Sequence, residues 1–196
     1  MGALYPLQTQ LHLDLHAGGK TALEMKGYAH YLGDKIRTVF LYGRQGTKLP
    51  AWFKKHEWGV KIVSVMTNLF PKGYNEGLSE YREREFAITI SAPERAAIEM
   101  LYHVPGKVSF EEALLVMENL SGLRPLLIHD LLLNCNSVKV RRLFMYMAEK
   151  HSYPWVKQVD ISKVDFGLGN RSIVVHGTLD KKYKITVPRS SGEEPV

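Results

Sequence analysis

The spacing of the apolar residues changes at Ser91, and that change limits what this chain can fold into. Upstream the apolar runs are short and strand-like. Residues 36–42 are β-branched and aromatic and end at Gly43, residues 60–65 form a second such run, and Phe86, Ile88 and Ile90 alternate with small or polar residues, as in a strand covered on one face. Between these runs the sequence predicts a helix over 3–16 (Leu4, Leu7, Leu11, Leu15) passing into an edge strand. A second helix over 18–32 has Ala22, Leu23, Tyr28, Ala29 and Leu32 on one side, and a short third spans 48–56; residues 71–80 read as loop. Gly27, inside the second helix, costs stability and is expected to mark a close backbone crossing.

Downstream the pattern is helical. Ser91, Pro93 and Glu94 read as an N-cap, an early-turn proline and an acidic first turn, predicting a helix over 92–102. Ser109 with Glu112 three residues later is a capping box opening 110–120, and 123–133 and 137–150 supply two more helices. Strands follow at 172–176 and 183–187, joined through 177–182 as a hairpin, with a polar tail from Arg189. The fold class expected is therefore α/β (α+β): a small mixed sheet with flanking helices, a central helical cluster and a C-terminal β-hairpin. The segments 1–90, 91–150 and 151–196 are expected to pack together, because no long linker separates them.

At 196 residues and 45% apolar content the chain can bury a substantial core. Its one cysteine, Cys135, excludes an internal disulfide and reads as a buried thiol. The N-terminus lacks the layout of a signal peptide and no stretch approaches the roughly 18 apolar residues of a membrane span, so a cytoplasmic location without membrane contact is expected. The net charge is +6 and the pI about 9.3, a balance that favours an acidic partner such as nucleic acid. Lys and Arg against Asp and Glu number 12 and 8 over 1–90, 3 and 6 over 91–136, 4 and 1 over 137–150, and 7 and 5 over 151–196, so the excess per residue peaks at 137–150.

Enzymatic motifs fail on inspection. Residues 18–21 read GGKT, the end of a phosphate-binding loop, but Asp14 stands where that loop needs its first glycine, and a carboxylate there would repel phosphate. Asp14 followed by Glu24 and Lys26 matches the acid and E-x-K of magnesium-dependent nucleases. On a predicted helix, however, residues two apart point in different directions. His12 and His16 are four apart without an acid directly after the first, so the zincin pattern is broken. No catalytic residue, metal site or cofactor is assigned.

Several stretches together carry a family resemblance: residues 18–32, LPAWF (49–53), SAPERAAIEML (91–101), LRP (123–125), VKVRRLF (138–144) and FGLGNRSIVVHGTLDKKYKITVP (166–188). In this order, over nearly the whole chain, they resemble the AbiEi family of antitoxins from type IV toxin–antitoxin systems. The resemblance implies a non-enzymatic antitoxin and transcriptional regulator. The implied partners are operator DNA, read by an N-terminal winged helix-turn-helix expected to be missing here, and a nucleotidyltransferase toxin of the AbiEii kind, countered without a stable complex.

The contact surface is sought first on 137–150. Lys139, Arg142, Tyr146 and Lys150 fall on one helical stripe, and Val140, Leu143, Phe144 and Met147 on another that packs. Arg171 follows GLGN, which reads as a phosphate-cradling turn or as the entry to a hairpin. Lys139, Arg141, Arg142, Lys150 and Arg171 are the expected nucleic-acid contacts, against the plainer reading of a solvated amphipathic helix. Two other readings stand beside this one: a protein-interaction module anchored by Trp52 and Trp58 with the 18–32 helix, and a nuclease-like enzyme.

Overall fold

The computed structural model describes residues 2–29, 36–83 and 85–189. His30, Leu32, Arg84 and the tail beyond Arg189 lie outside them. The main sheet is mixed and runs β3-β2-β1-β5-β4. At its centre, β1 (Leu15–Ala17) lies antiparallel to β2 (Thr38–Arg44) and parallel to β5 (Phe86–Ser91). β3 (Lys61–Thr67) runs parallel to β2 at one edge, and β4 (Leu78–Glu83) runs antiparallel to β5 at the other.

β2 shows why helices cover both faces. Its residues alternate between the two sides of the pleat: Val39 and Leu41 pack with Leu4, Leu7 and Phe53, whereas Phe40 and Tyr42 pack with Val65 and Tyr102. The first side belongs to α1 (Leu4–Thr9) and α3 (Ala51–Lys55), the second to α4 (Pro93–Tyr102). Around α4 gather α2 (Gly19–Met25), α5 (Phe110–Glu118), α6 (Pro125–Asn134) and α7 (Val138–Lys150). One apolar core draws on Ala22 and Leu23, on Ile98, Leu101, Ile128, Leu143 and Phe144, and on Ile185 near the C-terminus.

Four local expectations change. β1 is the central strand rather than an edge: three residues, all buried, are too short for a periodicity to declare their place. β4 lies partly inside the predicted loop, because its polar sequence becomes a strand only through its ladder to β5. α2 stops at Met25. Gly27 (φ +83°) lies beyond the helix end, where its amide donates to Glu24 O and the Tyr28 amide to Leu23 O, a Schellman cap and not a crossing. At the C-terminus a second sheet runs β6-β8-β7. The hairpin is β7 (Thr178–Asp180) with β8 (Ile185–Val187), and β6 (Arg171–Ser172) runs parallel to β8.

Where β1, α2 and α4 meet, a carboxylate is buried. Glu99 is 1% exposed and takes four donors: His16 Nε2 (2.8 Å) and Arg95 Nε (3.0 Å) on one oxygen, the Gly19 amide (2.9 Å) and Ser91 Oγ (2.6 Å) on the other. Tyr42 Oη donates to the Glu99 carbonyl at 2.8 Å. This arrangement explains the glycine pair of GGKT. A Cβ on Gly18 would collide with Glu99 Oε2, and Gly19 sits at φ +54° under the Tyr42 hydroxyl. The turn does hold an anion, but the anion is the protein's own. It also accounts for Ser91, which is not the N-cap of α4. Ala92 holds that position without a side-chain bond, and the serine hydroxyl goes to Glu99.

Candidate nucleic-acid interface

α7 forms as its pattern predicts, opened by Ser137 Oγ accepting from the Val140 amide. Most of its basic stripe is turned to the protein, and only Lys150 at its end is exposed. Arg142 is 1% exposed, and its guanidinium donates to Phe166 O (2.6 Å), Gly167 O (3.0 Å), Gly169 O (2.7 Å) and Lys184 O (3.1 Å). The GLGN segment is therefore a cradle of carbonyls around a cation, the reverse of the polarity a phosphate needs. Lys139 Nζ donates to Tyr102 O and Val104 O at 2.9 and 2.6 Å. Arg141 is buried and lies 3.9 Å from Asp165 Oδ2.

The expectation that these three residues offer phosphate contacts is corrected for a physical reason. α7 is packed between α4 and the C-terminal segment, and their free backbone carbonyls take donors from it, those at and just past the end of α4 from Lys139 and those of 166–184 from Arg142. Lys150, with its ammonium 5.8 Å from the Tyr146 ring centroid, and Arg171 are exposed. The other motif residues are also placed. Asp14 lines a pocket that neither Glu24 nor Lys26 reaches, and Glu24 lies 3.8 Å from Lys20 within α2.

Free positive charge gathers elsewhere. Over residues 36–61 stand Arg37, Arg44, Lys48, Lys54, Lys55 and Lys61 against a single acid, Glu57. All six are exposed, and none makes an ion pair among the described residues. α3 explains the clustering. It is the short crossover between parallel β2 and β3, and it turns Phe53 into the core while Lys54 and Lys55 close its last turn, where cations suit the helix dipole.

Alongside runs a groove of about 1200 Å³, lined by Arg37, Phe53, Lys54, His56, Trp58 and Lys61 among others. Its aromatic wall is a cluster of tilted rings, with His56 to Trp58 at 4.1 Å and Phe53 to Trp58 at 5.0 Å between centroids, and Trp52 stands edge-on to Trp58 at 6.3 Å. Trp58 Nε1 donates to Phe53 O at 2.9 Å, which fixes its ring. Trp52, 47% exposed, leaves much of its surface to solvent. Lysines and an arginine beside clustered aromatics suit phosphates and unstacked bases. Sequence reasoning met these residues singly, and the charge count by segment hid them, because acids elsewhere in 1–90 diluted the excess. The other half of the protein-interaction reading does not fit: Gly19, Thr21, Ala22 and Leu23 of α2 are buried.

Comparison with known proteins agrees with this fold. Residues 36–188 match the family model described as a transcriptional regulator, AbiEi antitoxin, of type IV toxin–antitoxin systems. Residues 1–33 match the model of the AbiEi antitoxin N-terminal domain. The expectation that the family's N-terminal domain is missing is thereby overturned. The described part of that segment is α1, β1 and α2, and β1 forms the middle of the main sheet, so it reads in sequence as part of the same body. No curated protein matches the chain. The crystal structure of the RV2827C protein from Mycobacterium tuberculosis shares the fold, with a TM-score of 0.61 at 12% identity, covering 92% of this chain and 66% of that one. This chain thus spans just under two thirds of that structure's length. On the family match over 36–188 and 1–33, the chain belongs to the AbiEi family of type IV antitoxins, a family of transcriptional regulators.

Proposed function

We propose that this antitoxin acts in the cytoplasm without catalysis, holding operator DNA through the basic face around α3 and opposing a nucleotidyltransferase toxin with which it forms no stable complex. The observation that carries the reading is the set of exposed cations at Arg37, Lys48, Lys54, Lys55 and Lys61, without an ion pair among the described residues, beside an aromatic groove. Cations already paired with protein carboxylates gain little from phosphate, whereas free ones release counterions from DNA on contact. Lys150 and Arg171 add exposed charge outside this face and serve as peripheral contacts.

The test is retention of operator DNA by the Lys54→Ala, Lys55→Ala, Lys61→Ala triple variant, with Lys150→Ala, Arg171→Ala as the comparison. The triple variant loses most retention and the double variant little. Equal retention by wild type and the triple variant sinks the assignment. Co-expression with the toxin encoded nearby, scored for growth, tests neutralisation separately.

A second reading rests on the exposure of Trp52, which suits an aromatic anchor for a protein partner. Ionic strength separates the two: contacts to phosphate weaken steeply with salt, and an aromatic anchor hardly responds.

A further inference from the structure

A second pocket, of about 310 Å³, opens above the Glu99 carboxylate, between the end of β2, the loop after β3 and α4. Its floor is His16, Arg95 and Glu99, all more than nine-tenths buried at 6%, 7% and 1% exposure. Glu99 is saturated by its four donors, and the amide at the start of α2 is one of them. Two neighbouring side chains, Arg95 and His16, keep a nitrogen that no described protein group takes up. Arg95 donates from Nε to Glu99 and from Nη1 to Tyr74 O (3.1 Å) and Glu76 O (2.9 Å), with its guanidinium carbon 4.6 Å from the Phe70 ring centroid. Its Nη2 has no hydrogen bond among the described residues, nor has Nδ1 of His16. Both side chains line the cavity.

An arginine N–H that lines a cavity without a protein acceptor can donate to an anion bound there. The mouth has matching chemistry. Arg44 and Lys72 line it, both exposed and neither in an ion pair among the described residues, and Asp14 is the one acid at the rim. Side-chain amides of Gln45, Asn68 and Asn75 complete the polar lining. Because Arg95 and Glu99 offset each other, Arg44 and Lys72 outweigh Asp14 and the cavity favours an anion. Donors approach from the floor and from the mouth, so the anion needs acceptors on several sides, as a phosphate has and a single carboxylate does not. A floor buried to this degree lies out of reach of a duplex backbone, which points to a small molecule.

We infer that this pocket is a binding site for a small phosphate-bearing ligand, with the phosphate held between Arg95 below and Arg44 and Lys72 above, beside the His16 ring. The site is separate from the α3 groove, and its occupancy does not depend on the DNA reading.

Calorimetric titration of the full chain with inorganic phosphate, AMP and adenosine tests it. Saturable binding of phosphate or AMP is expected, with none for adenosine. Tighter binding of AMP identifies a phosphomonoester, and equal affinities identify the free anion. The Arg44→Ala, Lys72→Ala double variant changes only exposed side chains and is expected to weaken binding at least tenfold, the loss of about one charged hydrogen bond. In wild type the His16 Nδ1 resonance should move on ligand addition. No saturable binding of either anion, adenosine binding as tightly as AMP, an affinity that the double variant leaves unchanged, or a His16 resonance that stays in place each overturns the proposal.

Discussion

The Glu99 carboxylate takes four hydrogen bonds in the interior, and its charge state governs how the protein responds to acid. Burial pushes its carboxyl upward, but the positive charge and hydrogen bonding of His16, then Arg95 and Ser91, outweigh that and hold it down at about 2. The ionised form therefore contributes stability that is complete above the ordinary glutamate value near 4.5 and is lost as pH falls toward 2, on the order of 3 kcal/mol in all. His103 adds a second window. Burial, with Lys107 and Lys139 nearby, pushes its ring down to about 4 from an ordinary 6.5, so the unfolded chain takes up that proton first. Stability falls as pH drops between those values. Urea titrations at several pH values should show decline beginning near pH 6.5 and steepening below about 4.5. Glu99→Gln at neutral pH leaves Arg95 buried without its counter-charge and should cost roughly 3–5 kcal/mol by the same assay. Arg142→Met should be similarly damaging, at least about 3 kcal/mol, because four carbonyls lose one shared donor. These roles were not legible in the sequence, where Arg142 and Glu99 look like ordinary surface charges on amphipathic helices.

At the level of elements, the serines divide by their partners. Ser109 is an N-cap as its spacing predicts, accepting from the Glu112 amide at 3.0 Å, although the Glu112 carboxylate pairs with Lys20 (2.7 Å) rather than closing the box. Ser109→Ala should therefore cost about 1 kcal/mol in thermal or chemical unfolding, the usual value of a cap. Ser91 has the same sequence context but its hydroxyl donates to a buried carboxylate, so Ser91→Ala should cost more, about 2–3 kcal/mol, without shortening α4 as judged by circular dichroism. Equal losses for the two variants would remove the distinction. Helices were the readable elements because caps and 3.6-residue periodicity are local properties. β4 and β7 were not, since short polar segments become strands only when a neighbour offers its ladder.

For the molecule as a whole, charge distribution matters more than net charge. The +6 suggested a nucleic-acid partner, yet folding buries Arg95, Arg141 and Arg142, ties the half-buried Lys139 to two carbonyls, and leaves the α3 face with exposed cations. The slope of log affinity for operator DNA against log salt concentration should drop by about 3 when Lys54, Lys55 and Lys61 become alanine, close to 0.9 per lost phosphate contact. It should stay unchanged when Arg142 is replaced by Met in protein shown to remain folded. What the sequence determined by itself was what depends on near neighbours along the chain: four capped or periodic helices, the β2, β3 and β5 runs, and a positive balance. The six stretches that matched a family in order added the membership that the family models also give. Which cations reach solvent, why two glycines precede Lys20 and where β1 lies were decided only in three dimensions. Each depends on groups distant along the chain, such as Glu99 meeting Gly19 or Arg142 meeting Gly169, and no local pattern records such a meeting.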